Sequence, residues 1–494
     1  MTERPESFAD NLVLGLAGYR TRPFLEFAGT WHSGDDVAAH HHGIEAALLE
    51  AGVGRDEPVG VVVRNRVPHA AALLGFVATG RPVVMIYSYQ SARSIAADVE
   101  ALQLAAVVAD REDWSESVID AARRSGTAAI AVSIHPRVEL LAAPLQVDRP
   151  GHGNTLSEAG IHILTSGTTG PPKRVPIRTE VLEHTVRSIT HGQLHSPSDP
   201  PDVVFLPLGS IGGVCQLLAG PQQGKRLVLL EKFTVTDWVR AIKTYRLRRG
   251  GAQPAVVRMV LDADVPPEDL ESLECLVGGA GPLEQEVRDE FERRYGIPVL
   301  WAYGATEFAG SVCAWTPELY ERYGKSKPDS AGKPLPGVQA RVVDQDSGAE
   351  LPSGSTGLLE ARVEVMGPEW IRTTDLASID VDGFITIHGR ADGAINRGGF
   401  KILPETVRRV LVGHPSVLDA AVVGVPDRRL GEVPFAAIEV RRGARAPTEA
   451  ELKELVREAL PSHHVPVAIA CVDELPRNAA MKVRPADVAA LHRP

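Results

Sequence analysis

The stretch Ile163-Leu-Thr-Ser-Gly-Thr-Thr-Gly-Pro-Pro-Lys173 decides how this chain reads. Thr165, Ser166, Thr168 and Thr169 supply hydroxyls, Gly167 and Gly170 supply approachable backbone N–H groups, and Lys173 supplies positive charge. Donors of this kind can wrap a polyphosphate. The apolar run Ile161 to Leu164 feeds into them as a buried strand would. No Gly-Lys-Ser/Thr follows the glycines, so this is not a Walker A loop. Standing alone, the pattern also fits an ordinary Ser/Thr/Gly surface turn, so its surroundings must decide.

Further stretches follow in order. They are Gly279-Ala-Gly-Pro-Leu283, Tyr303-Gly-Ala-Thr-Glu307, Arg372-Thr-Thr-Asp375, Gly389-Arg-Ala-Asp392 with Arg397-Gly-Gly-Phe-Lys-Ile402, and Leu475-Pro-Arg-Asn-Ala-Ala-Met-Lys482. Over roughly residues 25 to 490 the set resembles the adenylate-forming superfamily of acyl-CoA ligases, peptide-synthetase adenylation domains and luciferases. The resemblance implies that Thr165, Ser166, Gly167, Thr168, Thr169 and Lys173 bind phosphates. It puts Gly279, Ala280 and Gly281 beside adenine, stacks Tyr303 on it with Gly304 next in the motif, and implies catalytic parts for Thr306 and for Glu307, the Mg2+ ligand. Asp375 would accept the ribose hydroxyls, Arg390 would contact ribose or phosphate, and Asp392 would be the hinge. Lys482 would bridge the substrate carboxylate and ATP. Two positions depart from the family pattern, because Met481 and Thr374 stand where the family has glycine.

The fold implied is α/β. A large N-terminal adenylation domain, layered α/β with a β-rich subdomain, spans 1–389; residues 390–392 form the hinge, and a mobile α+β domain spans 393–494. Periodicity agrees: strands at Val59–Val63, Pro82–Ile86, Leu104–Ala109 and Ala128–Ser133 alternate with helices such as Pro68–Thr79. Val203–Leu208, Arg226–Leu230 and Leu273–Val277 read as further buried strands, and residues 134–158 lack clear periodicity. Val338–Asp344 and Gly357–Val365 alternate like a smaller β unit. After Arg390 the pattern becomes short strands and charged helices, among them the amphipathic Glu449–Leu460.

The composition narrows the class. The chain has 494 residues, 44% hydrophobic, and a net charge of −11, which fits a soluble globular protein and offers no basic stripe for nucleic acid. No run approaches the ~18 apolar residues of a membrane span, and the polar N-terminus lacks a signal-peptide core, so a cytoplasmic protein is expected. Cys215, Cys275, Cys313 and Cys471 lie far apart and read as buried free thiols. His40-His41-His42 resembles a metal cluster, but consecutive helical positions point to different faces, so the reading is structural, as it is for His463-His464.

Carboxylic acids are poor electrophiles at neutral pH, and adenylation gives the carbonyl a good leaving group. Where many family members carry a bulky aromatic and a histidine, this chain reads Pro207-Leu-Gly-Ser-Ile-Gly-Gly213. Gly209 and Ser210 therefore open space for a bulky aromatic or heteroaromatic acid, unless neighbouring side chains refill it. Gly212, Gly213, Gln253, Gly278, Ala309 and Gly310 complete the expected acid pocket. The acceptor stays open between CoA and a small amine; a carrier-protein partner is not expected, since no carrier domain follows. The closer resemblance is to the stand-alone amide bond synthetases of β-carboline type, which favours an amine, with Asp202 as candidate base. From another class, the two departures also fit a protein that binds nucleotide without turnover.

Overall fold

The structure is a computed structural model that describes residues 7–88, 90–135, 137–143, 160–165, 173–190, 194–196, 198–279, 281, 283, 285–305, 308, 310–391, 393–397, 400–427, 430–478 and 481–492. The chain folds as two compact units, 1–251 and 252–494.

The first unit is built on a seven-stranded sheet. Its five inner strands, in spatial order Ala128–Val132, Ala106–Asp110, Val59–Val63, Val83–Tyr87 and Gly160–Thr165, are parallel. Parallel strands carry helices on both faces, which is why Val59–Val63 and Ala128–Val132 are apolar throughout and wholly buried. Glu139–Ala142 and Lys173–Arg178 close the edges in antiparallel fashion. The former emerges from the segment whose sequence had no readable period, because four residues at a sheet edge carry too little alternation to register. The helix Val67–Thr79 opens on Pro68 at its first turn and stops at Gly80, whose φ of 73° a side chain would disfavour. It is apolar all round and buried from Val67 to Val77. A smaller sheet runs in the order Asp202–Val204, Leu227–Leu229, Pro23–Phe27, Thr30–Ser33. The expected strand Val203–Leu208 is thus shorter: the chain leaves the sheet after Val204 to form the turn into the helix Ile211–Gln223.

The histidine triplet is structural. A Cβ on Gly75 would lie 2.0 Å from His41 Nδ1, so the bare glycine is the notch that receives this ring between two helices. His40 is 3% exposed, and burial pushes its pKa down to about 4, whereas His42 faces solvent. Among the described residues no cluster of three or more His, Cys, Asp or Glu could hold a metal. Cys215, Cys275 and Cys313 are buried as expected; Cys471 is exposed, since its edge strand Ile469–Val472 buries only one face.

The second unit holds three β layers. A five-stranded sheet runs from Arg249–Ala252, at the junction of the units, through Cys275–Gly278, Val299–Ala305 and Gly310–Ala314 to Lys333–Pro334. A four-stranded antiparallel sheet follows: Val338–Val343, Gly357–Val363, Ile371–Ile379 and Ile385–Arg390. The last layer centres on a long hairpin, Val417–Asp427 paired with Gly431–Val440. Strands of eleven and ten residues correct the expectation of only short strands there; their apolar runs are buried on both faces and so lack alternation. One face packs Val407, Leu411, Leu452 and Val456; the other packs Leu475 and Val488. The helix Glu449–Ala459 is capped by Thr448, which exchanges hydrogen bonds with Glu451. Among the described residues no helix is long and apolar enough to cross a membrane.

Candidate functional site

In the first unit, the strand Gly160–Thr165 pairs with Lys173–Arg178 so that Thr165 and Lys173 are register partners. The pairing sets the two ends of the hydroxyl-rich loop side by side. Ser166, Gly167, Thr168 and Thr169 lie outside the described residues.

The segment expected to line the acid pocket follows nearby in sequence. Ser210 caps the helix Ile211–Gln223: its Oγ accepts from Gly213 N at 3.2 Å and donates to Pro207 O at 2.7 Å. A Cβ on Gly213 would sit 2.2 Å from Pro207 O, and one on Gly212 would sit 2.9 Å from Leu206 Cδ1. Backbone crowding therefore requires glycine at 213 whatever the substrate, whereas Gly212 meets only the end of a leucine side chain that can shift. Asn65, only 1% exposed, ties the turn down: Nδ2 donates to Leu206 O at 3.0 Å and Leu230 O at 3.1 Å, and Oδ1 accepts from Leu208 N at 2.8 Å. Gly209 is buried, and a Cβ there would meet the Tyr87 ring at 3.3 Å. Tyr87 thus takes up part of the space left by the missing side chain. Asp202 opens its strand and pairs through Oδ2 with Lys225 Nζ at 2.7 Å, which engages an oxygen that a base would use.

This geometry sets an expectation for Gly209→Phe. The added ring must displace Tyr87 or enter the free space, so kcat/KM for a bulky aryl acid should fall about 10–100-fold, with smaller acids less affected. Pyrophosphate release measured against a size series of acids checks this; an unchanged KM for the bulky acid removes Gly209 from the acid site.

In the second unit, several glycines permit strand ends to meet. A Cβ on Gly278 would lie 2.3 Å from Ala252 O, one on Gly279 2.5 Å from Ala302 O, and one on Gly304 2.1 Å from Gly310 O. Gly310 itself has a φ of 146°. Thr306, Glu307, Ala309 and Ala280 lie outside the described residues, as does Asp392.

Tyr303 and Asp375 come together across 72 positions of sequence: the phenol donates to Asp375 Oδ2, and Arg390 Nη1 stands 3.9 Å from Oδ1. Burial, and then the Asp375 carboxylate, push the Tyr303 hydroxyl far above its usual range. The phenol is therefore a fixed donor at neutral pH. Asp375 and Arg390 are register partners on neighbouring strands, and Asp375 N donates to Thr373 Oγ1 at 3.0 Å. Of the two departures from the family pattern, Thr374 needs no left-handed backbone: it lies where its strand bulges against Gly357–Val363, and its carbonyl accepts from Ala391 N at 2.7 Å. Met481 does carry strain, at a φ of 59°.

Lys482 follows it. Its backbone is fixed by Asn478, whose Oδ1 accepts from Lys482 N at 3.0 Å and whose N donates to Lys482 O at 2.8 Å. Arg477 Nη1 reaches Met481 O at 3.2 Å. Lys482 lines a cavity of about 260 Å3 together with Gln253 and Gly281, which the sequence reading assigned to separate motifs. Arg258, Arg408 and Arg477 line it too, against Glu405 and Asp419. The three guanidiniums form one wall of the cavity around a buried carboxylate.

Asp419 is the centre of that wall. It is 2% exposed; Oδ1 takes Arg408 Nη2 at 2.6 Å, and Oδ2 takes Arg477 Nη2 and faces Arg258 Nη1 at 3.7 Å. Burial raises its pKa, but Arg408, Arg258 and Arg477 outweigh burial and hold the carboxyl well below the usual range. The sequence reading missed Asp419, Arg258, Asn65 and Tyr87. Only Arg477 and Asn478 left a local signal, as an Arg-Asn pair inside the lysine motif.

Comparison with known proteins places these features in context. A family profile described as AMP-binding enzyme matches residues 15–366, and one described as AMP-binding enzyme C-terminal domain matches 407–482. A 2-succinylbenzoate–CoA ligase of Bacillus cereus is 28% identical, with 88% of each chain covered. That of Bacillus licheniformis is 31% identical over 73% of this chain and 75% of its own. The structure of the amide bond synthetase McbA from Marinactinospora thermotolerans superposes with a TM-score of 0.78 at 25% identity, covering 98% of this chain and 99% of that one.

Proposed function

The chain belongs to the AMP-binding enzyme family of adenylate-forming ligases, and on that premise we propose that it activates an aryl carboxylic acid as the acyl-adenylate and passes the acyl group to the thiol of CoA. The observation that carries the thioester is the likeness to 2-succinylbenzoate–CoA ligases over as much as 88% of the chain. A second reading, transfer to a free amine, is favoured by the amide bond synthetase that matches across nearly the whole chain. Both acceptors share the first step: a carboxylate oxygen attacks the α-phosphorus of ATP, the bond to the β-phosphate oxygen breaks, and pyrophosphate leaves. The thiol or amine then attacks the carbonyl, loses its proton, and expels AMP.

The residues divide these tasks. Asp375, oriented by the Tyr303 phenol and the Arg390 guanidinium, accepts the ribose hydroxyls. Thr165, Lys173 and the loop between them hold the phosphates. Glu307 is the proposed magnesium ligand. Lys482 supplies charge where it develops around the α-phosphate. Gly389, with a φ of 131°, gives the proposed pivot at 390–392 a backbone that side chains disfavour, and the free thiols suit a cytoplasmic setting.

One competition reaction tests the acceptor. Enzyme, MgATP and a panel of aryl acids are mixed with CoA and simple amines, and the products are read by mass spectrometry. An acyl-CoA thioester is expected. An amide that forms equally well without CoA overturns the thioester and establishes the second reading. ATP bound without AMP formation would leave neither.

A further inference from the structure

We propose that Arg258 is a positioning residue for the adenylation step, holding Lys482 in place through Asp419 and Arg477. The inference rests on the reading of Lys482 as the adenylation lysine. Lys482 is exposed at the end of a turn, next to a residue in left-handed conformation, so its placement needs an external anchor. Arg477 supplies it: one nitrogen holds Met481 O at 3.2 Å while the other is buried on Asp419. Asp419 Oδ1 is taken by Arg408 at 2.6 Å and by Ala420 N at 2.8 Å, whereas Oδ2 is shared by Arg477 and Arg258.

Arg258 differs from its partners in origin. It stands on the helix Pro254–Asp262, which Gln253 opens, and is 3% exposed. Asp419, Arg408 and Arg477 all follow the proposed pivot at 390–392, whereas Arg258 precedes it. A rotation there carries Asp419 with Arg408 and Arg477 but separates it from Arg258. The Arg258–Asp419 contact thus belongs to the arrangement that sets Lys482 beside Gly281 and Gln253. It should matter when charge develops at the α-phosphate and drop out once the acceptor attacks the carbonyl.

The two half-reactions separate this from a merely structural role. With an aryl acid that the wild-type enzyme turns over, Arg258→Gln should slow pyrophosphate release at saturating MgATP about 10–100-fold. The KM for ATP, and the rate at which the ready-made acyl-adenylate is consumed by acceptor, should stay within about two-fold. Arg258→Lys, which keeps the buried charge, should be intermediate in the first step; should the Gln variant not fold, the Lys variant is judged by the same split. Equal loss in both half-reactions, or no loss in the first, overturns the proposal. Lys482→Ala is measured alongside: if that variant releases pyrophosphate like wild type, the lysine reading itself has failed, whatever Arg258 does.

Discussion

Lys482→Ala is expected to lower pyrophosphate release by at least about 10²–10³-fold while leaving the melting temperature nearly unchanged. The two halves of this expectation have separate causes. The rate falls because, on the proposed reading, the ammonium meets charge that grows as pyrophosphate departs. The fold survives because Lys482 is exposed and holds its turn through backbone groups: Lys482 N donates to Asn478 Oδ1 at 3.0 Å and Lys482 O accepts from Asn478 N at 2.8 Å. Alanine keeps both bonds. Surface changes of this kind are usually worth less than about 0.5 kcal/mol. The check is a coupled pyrophosphate assay beside a thermal melt. Wild-type-like pyrophosphate release would remove Lys482 from the chemistry, and a large drop in melting temperature would assign it to the fold.

Asp419→Asn should act on the fold as well, costing about 3–5 kcal/mol of stability in addition to any loss of adenylation. It leaves the guanidiniums of Arg408, Arg477 and Arg258 facing a neutral amide at a position only 2% exposed. The sign of the pH dependence follows. Because the folded carboxyl sits below its unfolded value of about 3.9, its contribution is fully present above that pH and is lost as pH falls through the folded pKa. Wild type should therefore show its Asp419-dependent loss only in strong acid, and the Asn variant should be weakened by a constant amount from pH 5 to 8. Glu439, 3.5 Å from Arg477, works the other way, since burial pushes its carboxyl up. Denaturant melts across pH read this directly. A variant as stable as wild type at neutral pH would show that the guanidiniums are satisfied without the carboxylate.

What could be read from the chain was local. Buried parallel strands such as Val59–Val63 announce themselves as unbroken apolar runs, and the motif residues Tyr303, Asp375 and Lys482 are recognisable because each stands in a short, ordered pattern. The strain at Met481 was legible too, because glycine is what that backbone prefers. The acid side was less so. Gly209 and Ser210 read as open space, but Ser210 is a helix cap and the space beside Gly209 is shared with Tyr87, 122 positions away.

By itself, then, the sequence determined the family and the α/β layering, and it named the residues proposed to meet ATP, because these depend on side-chain type and local backbone preference. Tertiary structure alone decided which distant groups meet. It brought Tyr303 to Asp375, Asn65 to the turn at Leu206–Leu208, and Arg258 to an aspartate 161 residues further on. A buried ion pair has no period and no local pattern; it exists only once packing excludes water and forces each charge to find a partner.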